Sequence, residues 1–128
     1  MNSLADEVRH AMETVDLVAM EALLAPDARW GAPEQAVPTC RNAQQILSWY
    51  EMARENGVRA DITEIVIEGH KIVIGLKILN AKAPPNAPND VRWQVLSVDA
   101  GLISEIRGYE TRHEATEFAT SGVSHWET

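Results

Sequence analysis

Ile62-Thr63-Glu64-Ile65-Val66-Ile67-Glu68-Gly69-His70-Lys71-Ile72-Val73-Ile74-Gly75-Leu76-Lys77-Ile78-Leu79 decides the fold. Residues 62–67 and 72–79 are short β-rich runs, and Gly69-His70 between them is a two-residue connection that reads as a tight hairpin. Residues 91–98 and 102–109 repeat the pattern. Asp99-Ala100-Gly101 joins them, and a loop with Pro84-Pro85-Asn86 sets them off from the first pair. Upstream the period becomes helical. Leu4, Val8, Ala11, Met12 and Val15 recur at helical spacing, as do Leu17, Met20, Leu23 and Leu24 after a break where Thr14 or Asp16 can cap a second helix. Ala25-Pro26-Asp27 stops that helix, and Ala28-Arg29-Trp30 then reads as a short strand. A third helix begins at Asn42, sets Ala43, Ile46, Leu47 and Tyr50 on one face, and ends at Asn56-Gly57. Residues 112–119 fit a short closing helix. Helices first and a strand meander afterwards predict an α+β domain, with helices on one face of a curved antiparallel sheet.

The chain has 128 residues, enough for one core, so residues 1–119 are expected to form a single domain and 120–128 a polar tail with Trp126. A net charge of -8, with eleven scattered Lys and Arg residues, argues against nucleic acid or an anionic membrane as partner. Cys40 is the lone cysteine, so no internal disulfide can form, which suits a reducing compartment. The first residues lack the basic start and apolar core of a signal peptide, and no apolar run is long enough to span a membrane. A cytoplasmic protein is expected.

Period-two alternation offers a pocket wall. Ile72, Ile74, Leu76 and Ile78 share one face, and the matching phase of the next strand is Arg92, Gln94, Leu96 and Val98. Arg92 and Gln94 are then the polar groups of an apolar wall, suited to fixing one oxygen of an apolar ligand. For Arg92, pairing with an exposed carboxylate at the rim stays open beside ligand contact. The opposite phase, Val91, Trp93, Val95 and Ser97, suits an outer face and a dimer contact. Trp30, Trp49 and Tyr50 fit the pocket mouth or plain core packing.

Three segments occur in an order that resembles one superfamily. They are Asp16-Leu17 through Leu24-Ala25-Pro26-Asp27-Ala28-Arg29-Trp30; Cys40-Arg41-Asn42-Ala43 with Ile46; and Val95-Leu96-Ser97-Val98-Asp99-Ala100-Gly101-Leu102-Ile103 leading to Tyr109. Together they resemble the nuclear transport factor 2-like superfamily, especially its SnoaL-like branch, polyketide cyclase and ketosteroid isomerase-like. The resemblance implies a cystatin-like α+β roll, a cone-shaped sheet wrapped over three N-terminal helices with a pocket between, and frequent homodimers through the outer sheet face. It does not imply one activity. The general base of isomerase-like members corresponds to Ala32, their protonated acid to Gln94 and their tyrosine donor to a position near Val8. The aspartate of epoxide-hydrolase-like and SnoaL-like members corresponds to Gly108, and its companions fall near Leu76 and Ile78. Gln94 can still donate to an oxyanion.

Other chemistries find little support. Cys40 beside Arg41 at a helix start could favour thiolate, but no histidine is paired with it as a base. His10, His70, His113 and His125 lack metal-ligand spacing, so neither metal nor cofactor is expected. Lys77 and the carboxylates Asp61, Glu64, Glu68 and Glu105 read as solvent-facing. The leading expectation is a domain that binds a small apolar or aromatic molecule through Arg92, Gln94, Trp30, Trp49, Tyr50, Leu76 and Ile74. The alternatives are an isomerase, cyclase or dehydratase with a different acid/base residue, and a protein-interaction module using the outer sheet face.

Overall fold

The computed structural model describes residues 4–31, 39–80 and 90–121. Helical periodicity in the first half becomes α1 (Leu4–Thr14), α2 (Leu17–Leu23) and, further on, α3 (Ala43–Glu55). Asp16, rather than Thr14, caps α2: its Oδ1 accepts the Ala19 amide at 3.1 Å, a bond that holds the carboxyl below its usual range. Asn42 caps α3 in the same way, accepting the Gln45 amide at 2.9 Å. Strand β1 (Leu24–Gly31) starts earlier than Pro26 suggested. It is an edge strand whose register slips between Leu24 and Arg29, so the missing N–H of Pro26 falls where the ladder is already interrupted.

The hydrophobic runs of the second half become β2 (Val58–Glu68), β3 (Lys71–Asn80), β4 (Asp90–Asp99) and β5 (Leu102–Tyr109), in the sheet order β1-β5-β4-β3-β2. These four strands form the expected antiparallel meander, but β1 joins β5 in parallel, so the sheet is mixed rather than wholly antiparallel. The pairs Ile72–Leu96, Ile74–Gln94 and Leu76–Arg92 lie opposite one another, the phase read from the alternation. Thr63 and Ser104 are each an extra residue that shifts the register, so Ile103 and Ile106, three apart, both face the core. On the free edge, α1 completes the backbone of β2: Arg9 donates to the Ile62 carbonyl at 3.2 Å, and the Ile62 amide donates to Glu13 at 3.0 Å. Those bonds occupy groups through which another strand could add.

Helices α1 to α3 cover the inner face and bury Val8, Ala11, Ile46, Ile74 and Leu96. The outer face is also covered, by α4 (Arg112–Ser121), which corrects the expectation of helices on one face only. Val73 and Val95 pack there with Ala115, Ala119 and Phe118. Trp93 lies across Gly75, where a Cβ would come within 2.9 Å of two indole carbons and 2.8 Å of the Thr63 hydroxyl. Arg112 clamps α4 to β2 through bonds of 2.6 to 3.2 Å to the Glu64 carboxylate, which they hold below its usual pKa. Phe118 sits between Lys71 and Arg107, whose charges lie 5.3 and 4.9 Å from its ring centre. Among the described residues, no helix is long and apolar enough to cross a membrane. Ala32, the 84–86 loop, His125 and Trp126 lie outside the described residues.

Candidate functional site

Among the described residues, the inner face is left uncovered at one end. There α3, β1 and the ends of β3, β4 and β5 enclose an open concavity of about 780 Å³, within the range of small-molecule sites. Trp30 comes from β1, where it faces inward opposite Ile106, and Trp49 comes from α3. Their rings meet edge to face with centres 5.6 Å apart, while Tyr50 stacks parallel to Trp30 at 5.5 Å. Trp30 is fixed by its backbone, which exchanges bonds of 3.0 and 2.8 Å with Cys40. Trp49 remains 45% exposed, so an aromatic surface is presented to water at the mouth.

Leu76 and Ile78 supply the floor, with Gln94 beside them and Arg92 exposed at the rim. Gln94 is only 8% exposed, and its Oε1 is sealed from solvent with no hydrogen-bond partner among the described residues. Directly across the β4–β5 ladder lies Gly108, also on the concavity, and a Cβ added there would meet no atom within 4 Å. Trp93, Tyr109, Glu110 and Glu114 form the outer lip.

Two expected wall residues stand elsewhere. Ile74 is fully buried in the core, one pair deeper along β3 than Leu76, and Tyr50 borders a small internal gap with Met20, Leu96 and Ile106. Burial pushes the Tyr50 phenol far above its ordinary pKa. The Cys40 thiol is 1% exposed, and burial raises its pKa too, against the thiolate that Arg41 suggested. Among the described residues, no three His, Cys, Asp or Glu side chains gather as metal ligands would.

The buried charges that sequence reasoning missed are on the other face of the sheet. Glu105, read as solvent-facing, is 6% exposed. It accepts from Arg29 at 2.8 Å and from Arg107 at 3.0 Å. Its outward phase was readable from the alternation. Its burial was not, because α4 and the Arg29 side chain provide the cover.

The SnoaL-like domain profile matches residues 5–127. The chain belongs to the SnoaL-like domain family. No curated protein sequence matches it. Solved structures share the fold at low identity. An M. tuberculosis LEH-like epoxide hydrolase is 15% identical, with 89% of this chain and 84% of that one covered and a TM-score of 0.65. A protein provisionally assigned as a ketosteroid isomerase, from Kribbella flavida DSM 17836, is 16% identical over 85% of this chain and 76% of its own, with a TM-score of 0.70. An NTF2-like protein of unknown function from Burkholderia pseudomallei K96243 is 17% identical over 94% and 100% of the two chains, with a TM-score of 0.65. In this SnoaL-like domain two of the positions that the resemblance links to family acids, Gly108 and Gln94, are on the concavity, while a third, Ala32, lies outside the described residues. Among the described residues, the acids that line the concavity, Glu110 and Glu114, are exposed at its lip.

Proposed function

We propose that this SnoaL-like domain binds a small molecule with an apolar or aromatic body in the concavity. The body packs on Trp30, Trp49 and Leu76, and Gln94 and Arg92 orient its polar end. The observation that carries this reading is Gln94, nearly buried and lacking a partner for Oε1 on an otherwise apolar floor. Leaving such an atom unpaired costs about 1 to 3 kcal/mol, a cost that packing alone does not explain and that singles out Gln94 on this floor. General acid/base work needs a titratable group within reach of the reacting proton, and among the described residues the carboxylates on the concavity do not project from its floor, which supports binding over an isomerase, cyclase or dehydratase role. Glu110 and Glu114 sit at the exposed lip instead.

Isothermal titration against steroid-like, terpene-like and polyketide-like compounds tests the reading. Saturable binding that Gly108→Trp abolishes, by filling the concavity, is the expected result. Absence of binding by every compound, with the protein folded, would sink it. Turnover of a bound compound would revive the enzymatic alternative.

The resemblance also implies pairing of two copies through the outer sheet face. In this chain α4 lies over Val73 and Val95, and its own outward positions, including His113, Glu117 and Thr120, are polar. A homodimer therefore joins through a surface other than those strands, and the same cover weighs against a protein-interaction role for Trp93 and Val95. Sedimentation equilibrium, with crosslinks mapped to residues, checks this. The charge of -8 and the lone buried thiol support a cytoplasmic protein with no nucleic-acid or membrane partner.

A further inference from the structure

We propose that Tyr50, stacked on Trp30, sets the depth of the site and so selects ligands with a compact apolar body over those with a long alkyl chain, an inference that rests on the binding role of the concavity. The inward positions of the sheet lead from the concavity to the internal gap. On β4, Gln94 borders the concavity and the next inward residue, Leu96, borders the gap. On β5 the same step leads from Gly108 to Ile106, the ladder partners of those two residues. The two hollows are successive compartments under the same strands. From the helix side, α3 sends Trp49 to the concavity and its neighbour Tyr50 to the gap. Trp30 lines the first compartment and Tyr50 the second, and their rings lie 5° from parallel with centres 5.5 Å apart. The stack is where the compartments meet.

The gap, about 20 Å³, is roomy enough for one water, but among the described residues its walls are apolar side chains and Tyr50, short of the two or more polar partners a buried water needs. Hydrocarbon is what gains by entering it. Met12 and Met20 are unbranched and adjust their rotamers to make way for a chain. The stack keeps such a chain out, because parting two packed aromatic rings is unfavourable and the Trp30 backbone is tied to Cys40 by bonds of 3.0 and 2.8 Å. A compact body packs on Trp30 and Leu76 and stops there. Methylenes beyond that length stay at the mouth, in water, and add no affinity. Loss of the Tyr50 ring vacates the space against Trp30, so that the indole leans into it or the chain passes beside it, and either way the concavity deepens toward the gap.

The test titrates the full chain with 4-alkylphenols, from 4-methylphenol through 4-propylphenol to 4-heptylphenol, which differ only in chain length. Wild-type affinity is expected to rise about fourfold per methylene and then level off within the series. Tyr50→Ala, and the milder Tyr50→Val, should extend the rise by about two methylenes, so that 4-heptylphenol binds about tenfold more tightly than to wild type. Tyr50→Phe keeps the ring and should level off where wild type does. Circular dichroism establishes that each variant is folded. The terminal methyl of 4-propylphenol reads the depth without any variant: bound to wild type, it should show nuclear Overhauser contacts to the Trp30 ring and none to the Met12 and Met20 methyls. Contacts to those methionines, or none to Trp30, overturn the stop. So does a rise through the whole series in wild type, a folded Tyr50→Ala or Tyr50→Val that levels off with wild type, or a Tyr50→Phe that does not. Each of these leaves the binding role standing, whereas binding of no member by wild type overturns both.

Discussion

The two faces of the sheet bury polar groups in opposite ways. On the outer face Glu105 sits between Arg29 and Arg107, with Phe118 over the Arg107 guanidinium, and the charges answer one another. On the inner face Gln94 is neutral and its Oε1 is unanswered, at the edge of a concavity. Burial of a charged group therefore marks structure on one side, while an unpaired neutral amide marks a site on the other. A satisfied cluster has no use for a ligand; a buried amide kept unpaired on the wall of a concavity is not explained by packing.

The sharpest way to break this contrast is Glu105→Ala. It leaves the buried Arg107 and the half-buried Arg29 without their shared carboxylate and is expected to cost about 3 kcal/mol in urea unfolding, with ligand affinity in the surviving folded fraction unchanged. A smaller loss, or weakened ligand binding, would mean that the outer cluster is not the closed structural unit described.

Alkaline pH probes the core between the faces. Tyr50 keeps its proton when folded beyond the ordinary value of 10.0, because burial disfavours phenolate. The unfolded chain releases that proton near pH 10, so this contribution to stability is complete below about pH 10 and falls as pH rises further. Absorbance at the phenolate band, followed with circular dichroism, should show Tyr50 ionising only as the fold is lost. Ionisation within the native state would contradict its burial.

The inner face should respond in the reverse direction to the outer one. Gln94→Leu removes the unpaired oxygen and is expected to raise stability by about 1 kcal/mol while lowering ligand affinity, a trade that thermal melts and titration read together. Destabilisation would instead indicate that the amide is satisfied in the native protein.

The smallest expected effect lies in the turn joining β4 to β5, where Ala100 adopts φ +53° before Gly101 at +81°. Ala100→Gly removes the strain of an exposed left-handed alanine and should stabilise by up to about 1 kcal/mol by chemical denaturation, with no effect on either face.

Sequence made the central hairpins legible because alternation and short turns fix both strand and register. The pairing of Ile74 with Gln94 and of Leu76 with Arg92 follows from those alone. Alternation gives a face but not a depth, so Ile74 and Leu76 read alike although one is core and the other wall. The register shifts at Thr63 and Ser104 carry no glycine or proline signal. The cover on the outer face was hidden because it depends on contacts distant in the chain, such as Arg112 with Glu64 and Phe118 with Lys71. Glu105 shows the consequence: its phase was readable, and its partners were not.

The side-chain amide signals of Gln94, assigned by their loss in Gln94→Met, give the most direct view of the inner site during a 4-propylphenol titration followed by NMR. Saturable shifts of that pair and of the Trp30 and Trp49 indole signals, with the Arg29 and Arg107 side-chain signals unmoved, are the predicted result. A titration that moves the outer-face arginines and leaves Gln94 still would contradict the assignment of binding to the inner face.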